Sequence, residues 1–377
     1  AAVGTNWTHN FARRLVMSAL HSSSVFAVSA SRPDGKWIAF NLSGSTYQPD
    51  PDQQAYKLVK TGTGWQLTAP EDDEIETYDA EGKLISIANR PGLTQTLSYF
   101  ASGADKGFLQ AVTDPFGRTL SFAYQNGMLQ TLTIPGGGTF TYTYDFLPGS
   151  DETLPLTVTD PMSRVRTYHY ENPIFGGYKR MLTGITDELG VRFAAWGYDT
   201  NINSPYQGLP TLSQHAGGAG KVTIDYTNGT AVTTFVTPSL SATRTYGFQT
   251  NFGVVGNNSI TGPDCPECGP KETGYNGTNG LVSRAMDWNN TRWNRGFDLT
   301  RNLETGRIQG QDINFQNTLD TIFTTTTWHP IFRLPTVITE PLRTTTNVYD
   351  PDGTQCGARG ALCSKSIQAT TTPDGFG

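Results

Sequence analysis

The stretch Asp114-Pro115-Phe116-Gly117-Arg118-Thr119-Leu120-Ser121-Phe122-Ala123-Tyr124 reads as a tight turn followed by a strand. Asp at the first turn position accepts hydrogen bonds from backbone N–H groups just ahead of it, and Pro at the next presets φ for a type I turn. Gly at the fourth position supplies the positive φ that a short hairpin loop needs. An aromatic residue then falls ten positions after the opening Asp.

The same spacing recurs along the chain. Ile134-Pro135-Gly136-Gly137 leads to Tyr144, Asp160-Pro161-Met162-Ser163 to Tyr170, and Asp287-Trp288-Asn289-Asn290 to Phe297. Looser copies run from Asn89 through Gly92 to Tyr99 and from Ala216 through Ala219 to Tyr226. Asp187 with Gly190 is one residue long at Tyr198, and Glu340-Pro341-Leu342-Arg343 is one short at Tyr349. Thr139-Phe140-Thr141-Tyr142-Thr143-Tyr144 alternates, with the aromatics on one face and three Thr on the other. Leu129-Gln130-Thr131-Leu132-Thr133-Ile134 and Leu156-Thr157-Val158-Thr159 supply incoming strands. Each unit is therefore strand, turn, strand. A lone hairpin is marginal in water, so the units must pair edge to edge. The expected fold is all-β: antiparallel hairpin repeats forming a long, twisted, curling strip. An ordinary sandwich with a chance turn rhythm is the alternative, and the repeated aromatic offset tells against it.

Composition agrees. Gly and Pro account for 41 and 22 of 377 residues, and the 54 Thr favour pleated surfaces. With 27 Lys+Arg against 33 Asp+Glu the net charge is −6, which lacks the basic surface that nucleic acid requires. No run of 18 apolar residues predicts a membrane-spanning helix. Asn10 to Leu20, with Phe11, Leu15 and Val16, is the best helix candidate. Residues 1–75 are expected to form an atypical, mostly β N-terminal cap, with strands at Trp37-Ile38-Ala39-Phe40 and Tyr56-Lys57-Leu58-Val59. Residues 76–377 are expected to form the hairpin repeats, less regular over 200–280.

These residues carry a resemblance. Tyr78-Asp79-Ala80-Glu81-Gly82-Lys83-Leu84, Asp114 through Tyr124, Phe140 through Asp145 and Val348-Tyr349-Asp350-Pro351-Asp352-Gly353 resemble the tyrosine-aspartate (YD) repeats of the bacterial rearrangement-hotspot (RHS) family. Trp7 through Leu15 looks like the opening of such a region, and Trp328-His329-Pro330-Ile331-Phe332-Arg333-Leu334-Pro335 like a recurrent phrase within it. The likeness runs from about residue 1 to 353 and is weakest over 200–280. It implies a β-strip spiralling into a hollow shell that encloses a toxic C-terminal segment. The chain departs from the family in lacking the long core, its DPxG-containing self-cleavage ending and a variable effector. Pro373-Asp374-Gly375-Phe376-Gly377 reads as the middle of another repeat, so the sequence is expected to be a fragment.

Candidate chemistry is sparse. Cys265-x-x-Cys268 and Cys356-x6-Cys363 admit two local disulfides, a four-thiolate zinc site or free thiols. His9, His21, His169, His215 and His329 are scattered, and His169 should face away from Tyr168 and Tyr170. Glu71-Asp72-Asp73-Glu74 lacks the alternation of a calcium loop and reads as a solvated turn. Gly217-Gly218-Ala219-Gly220 precedes a strand and reads as a hairpin turn, not a phosphate loop. Trp7, Trp37, Trp65, Trp196, Trp288, Trp293 and Trp328 serve a core or, exposed in a row, a sugar-binding surface. The expected function is a non-catalytic scaffold without cofactor, partnered by the rest of its polypeptide or an enclosed effector. Open strand edges invite self-association. A cell-surface adhesin is the alternative, and a hydrolase of carbohydrate or peptide a third. Export to the cell surface or beyond follows from the likeness and from a start at Ala1-Ala2 without Met, which marks either a processed end or an artificial boundary.

Overall fold

The computed structural model describes residues 3–20, 24–70, 73–146, 153–172, 180–226, 232–237 and 242–369. Pro373 through Gly377, His21, Glu71 and Asp72 lie outside the described residues. Thirty strands form one sheet, and each is hydrogen-bonded antiparallel to the next in sequence. Two joints are thin: Tyr47 opposite Leu58, and Ser259 opposite Glu272. The fold is a meander of hairpins laid side by side.

The best helix candidate, Asn10 to Leu20, is not helical, in keeping with the all-β expectation. Arg14–Leu20 is a strand paired with Ser24–Ser31. Leu15 is fully buried while Val16 is 43% exposed, so the segment obeys a period of two. The spacing of Phe11 and Leu15 mimics a helical face, but the neighbouring strand satisfies the backbone instead.

The strip curls because nearly every hairpin carries a bulge. Ala123 is opposite Thr131 but Tyr124 is opposite Leu129, leaving Gln130 as an extra residue on the following strand. The same shift precedes Tyr78, Tyr144, Tyr198, Phe248, Tyr275, Phe297, Trp328 and Tyr349. A bulge bends its strand and increases the local twist, so repeating it at one position per hairpin winds the sheet. A separate bulge accounts for the long offset at Tyr198: Thr186 is opposite Arg192 and Ile185 opposite Ala194, so Phe193 is inserted. The short offset at Tyr349 has another cause. Glu340 is directly opposite Arg343, and the turn is only Pro341-Leu342.

Burial is most concentrated in the first strands. Leu15, Val28, Ile38, Phe40, Trp65, Leu67, Tyr78 and Leu84 belong to one buried cluster that extends to Leu129. The Leu15 N–H donates to the Gly82 carbonyl at 2.9 Å, and Arg14 bridges Lys83, which seats the first strand against the turn at 79–83. Gly82 has φ +80°, and a Cβ there would lie 2.2 Å from the Leu15 carbonyl oxygen, so the closure requires glycine. The N-terminal stretch then crosses to later hairpins. The Thr5 N–H donates to the Thr153 carbonyl at 2.6 Å, and Trp7 meets Tyr168 edge-on at 5.0 Å. Further along, buried apolar residues thin out to Ala194, Ile260, Ala285, Met286, Leu303 and Phe332. The later strands nevertheless return to the first coil, where the Arg333 N–H donates to Asp73 at 3.2 Å.

Inside the first coil lies a buried carboxylate, Glu76, with no exposed surface. The Arg32 guanidinium donates to it at 2.6 Å, and Arg13 and the Tyr78 hydroxyl donate to it as well. Removing one member of such a network strands the others without a partner. Glu76→Ala is therefore expected to lower stability by about 3–5 kcal/mol. Urea denaturation would measure this, and a loss no larger than that of an exposed Glu→Ala control would refute the network's role.

Candidate functional site: the two rims of the strip

Because every strand reverses the last, turns such as 114–118 and the connections after each repeat aromatic fall on opposite rims. The turn rim is built from one geometry. Asp114 Oδ1 accepts the N–H groups of Phe116 and Arg118, both at 2.9 Å, and the Arg118 guanidinium donates to Oδ2 at 2.6 Å. Asp160 repeats this with Met162 and Arg164, Asp187 with Leu189 and Val191, and Asp287 with Asn289 and Thr291. The fourth position has positive φ at Gly117, Gly137, Ser163, Gly190 and Asn290. The backbone N–H of Arg164 holds the Asp160 carboxyl below its ordinary range; slight burial opposes this, and the Arg164 guanidinium adds to it. Asp312 builds a further turn of this kind, accepting from Asn314 and Gln316 at 2.8 Å, with Phe315 at φ 61°. Without Pro or Gly, that copy gives no sequence signal beyond the Asp itself.

The repeat aromatic closes the far end of each hairpin. The Tyr99 hydroxyl donates to the Leu84 carbonyl at 2.6 Å, Tyr124 to Leu109 at 2.9 Å, and Tyr144 to Leu129 at 2.7 Å. Tyr198, Tyr226, Tyr275 and Tyr349 make the same bond to Leu182, Pro210, Asn257 and Pro335. Trp328 substitutes an indole N–H, donating to the Glu304 carbonyl at 2.8 Å. Tyr170 is buried instead against Leu154, with Trp7 packed alongside, and Phe297 keeps the bulge without a hydroxyl. Burial raises the phenols of Tyr99, Tyr124 and Tyr144, with Tyr124 pushed up to about 12.

The residue after the aromatic makes a neck for the loop that follows. The Asp199 N–H donates to the Leu209 carbonyl at 2.9 Å, and the Gly208 N–H to the Asp199 carbonyl at 2.7 Å. Phe100 with Phe108, Asn276 with Leu281, and Asp350 with Ala361 close their loops in the same way. His329 pairs with Leu334, and its ring Nδ1 accepts the Ile331 and Phe332 N–H groups at 3.2 Å. Asp350 is completely buried. Its carboxylate accepts four backbone N–H groups, from Asp352, Gly353, Gln355 and Cys356. Burial alone would raise this carboxyl, but those N–H groups, Cys356 foremost, hold it at about 2.

Cys265 is bonded to Cys268 and Cys356 to Cys363, with Cα atoms 5.3 and 5.4 Å apart. The sulfurs form two separate groups, one with Glu267 and one with Asp350, so the four do not converge as a zinc site requires. His169 donates or accepts at Thr186 (2.8 Å), His9 and His215 lie beside Phe122 and Phe193, and no two histidines share a site among the described residues. Of the acidic run, Asp73 pairs with Arg90 at 2.8 Å and Glu74 with Arg13 at 3.1 Å, so this part is held by arginines and not left solvated. Gly217 and Gly218 occupy a short turn between Pro210–His215 and Val222–Tyr226. Trp65 is buried, Trp288 donates to the Gly269 carbonyl at 2.9 Å, and Trp293 lies under Arg295, whereas Trp37 is 58% exposed.

The fold and rims define an antiparallel hairpin-repeat strip, clamped by Asp at one rim and by Tyr at the other. No family model and no curated protein matches the chain. Among solved structures, a crystal structure of TcdB2-TccC3-TEV is similar over 91% of this chain and 22% of that chain, with 10% identity and a TM-score of 0.42. The Photorhabdus luminescens Tc holotoxin pore is similar over 90% of this chain and 23% of that one, with 11% identity and a TM-score of 0.44. A porin-like protein from Bacteroides uniformis is similar over 96% of both chains, at 11% identity and a TM-score of 0.15. The chain spans about a fifth of the length of the toxin-complex chains. These likenesses assign no family. No helix among the described residues is long and apolar enough to cross a membrane.

Two outcomes test the tyrosine clamp. Tyr124→Phe removes the donor from the Leu109 carbonyl and should cost about 1 kcal/mol in urea denaturation; no measurable cost would mean that the hydroxyl is idle. The second concerns alkaline pH. An unfolded phenol ionises near 10, whereas folded Tyr124 keeps its proton to about 12. Its stabilisation is complete below pH 10 and is lost as pH rises through 12, so the denaturation midpoint should fall across that window and fall less in Tyr124→Phe.

Proposed function

We propose that this chain is a wall segment: a non-catalytic, RHS-type curved strip that encloses or displays another segment of its own polypeptide or a separate effector. The observation that carries the reading is the doubly clamped hairpin. Asp fixes turns such as 114–118, Tyr fixes open ends such as that at Tyr124, and a bulge beside the aromatic bends the sheet. Repetition of that unit produces curvature and surface without gathering side chains into a reactive cleft. The carboxylates of the rims are committed to backbone N–H groups, and Glu76 to two arginines. Hydrophobic packing is concentrated in the first coil, from Leu15 to Leu129, which supports a cap over residues 1–75 that grades into the repeats from about residue 76.

Export fits the two disulfides, which persist in oxidising compartments. Among the described residues the strand Leu362–Ala369 pairs with Arg343–Tyr349, and its other edge suits pairing with a further strand of the same wall. In the natural polypeptide, the segment that the wall encloses should resist protease at least about tenfold longer than the same segment expressed alone. Equal cleavage rates would sink the enclosing role.

A further inference from the structure

Glycine inside a strand costs conformational entropy and contributes no packing, so each one needs a reason. Several strand glycines have an evident one. A Cβ at Gly64 would strike the Tyr78 carbonyl, at Gly184 the Arg192 side chain, at Gly256 the Tyr275 ring, and at Gly274 the Arg284 side chain. Gly296 and Gly306 do not. Neither has positive φ, and a Cβ at either would meet its nearest neighbour at 3.8 or 3.7 Å, an ordinary contact. They face each other across Arg292–Asp298 and Leu303–Gln311, just before the bulge at Phe297. The bulge does not require them, because Ala123, Thr143 and Thr327 hold the position of Gly296 in other hairpins, and Thr131, Thr157 and Val337 that of Gly306.

The two glycines floor an apolar furrow of about 340 Å³, walled by Ile308 and by Phe323, which is 46% exposed. A separate polar hollow of about 480 Å³ lies on the neighbouring strands, lined by Arg284 and by Glu272, which Arg292 pairs. Register relates the two: Phe323 is opposite Ile308, Ile308 opposite Asn294, Asn294 opposite Arg284, and Arg284 opposite Gly274. The Arg284 side chain lies over Gly274, is exposed, and has no carboxylate partner among the described residues. An apolar slot and an uncommitted guanidinium therefore share one face.

We propose that this face binds an extended peptide, with an aromatic side chain in the Gly296–Gly306 furrow and a carboxylate at Arg284. The furrow lies between two strands, and the Arg284 side chain lies over the second strand beyond them. At a strand spacing near 4.8 Å this is about 12 Å, the reach of about four extended residues. Charge complementarity selects the acidic end, and the missing side chains select the bulky one. The site does not depend on the enclosing role.

The test uses the full chain and a fluorescein-labelled peptide of one-letter sequence GWSSSDG, followed by fluorescence anisotropy at low salt. GWSSSDG should bind more tightly than GWSSSNG or GASSSDG. Filling the furrow with Gly296→Val and Gly306→Val should weaken it about tenfold or more while the melting temperature holds or rises, since Val suits a strand. Phe323→Ser, at an exposed wall, should also weaken binding and serves if the double variant melts early. Arg284→Gln should erase the preference for GWSSSDG over GWSSSNG. The proposal is overturned if the wild-type chain binds none of the peptides, if it treats all three alike, or if the furrow variants bind unchanged.

Discussion

The bond from a tyrosine hydroxyl to a carbonyl one strand back is the constraint on which the rest of the molecule depends. A strand end is where a sheet frays, because its last backbone groups have one neighbour fewer. Tyr124 secures that end by reaching to Leu109 while its own backbone is displaced by the bulge opposite Gln130. The two features belong together. The shifted register sets the aromatic opposite the first residues of the next strand, and the ring lies back over the previous one. Each hairpin is thereby tied to both neighbours at one height, and the sheet acquires its bend there.

Asp supplies the complementary constraint at the other rim. A carboxylate that takes two N–H groups fixes the five-residue turn, and the arginine following Gly117 or Ser163 adds a charge-assisted bond. Between these fixed ends the strand interior is nearly free to vary, which is why Thr ladders suffice where a buried core is absent. Among the described residues the larger buried cluster is in the first coil, from Leu15 to Leu129, which gains a buried ionic network at Glu76.

Much of this was legible in the sequence, and the illegible part has a common cause. The hairpins, their turn residues and the repeated aromatic offset follow from residue types whose side chains act on their own neighbourhood, as Asp114 and Gly117 do. The bulges and the hydroxyl's acceptor were hidden because both involve backbone groups, which every residue possesses. The apolar spacing over Arg14–Leu20 suits a helix as well as a strand, and what decides for the strand, pairing with Ser24–Ser31, is tertiary context. Asp312 was missed because Phe315 adopts the conformation that glycine advertises elsewhere. The furrow was invisible for a different reason: Gly296 and Gly306 look like turn signals until the register places them opposite each other within strands.

Strict pairing of each strand with its successor has a consequence for how the chain comes into being. Among the described residues no ladder joins strands distant in sequence, apart from the bridge of Arg14 to Lys83, so each described strand finds its partner in an adjoining stretch of chain. Loop-closure entropy stays small at each step, and assembly can proceed vectorially behind the ribosome, one hairpin templating the next. The tightly packed coil from Leu15 to Leu129 then offers a formed edge on which the strands after it grow.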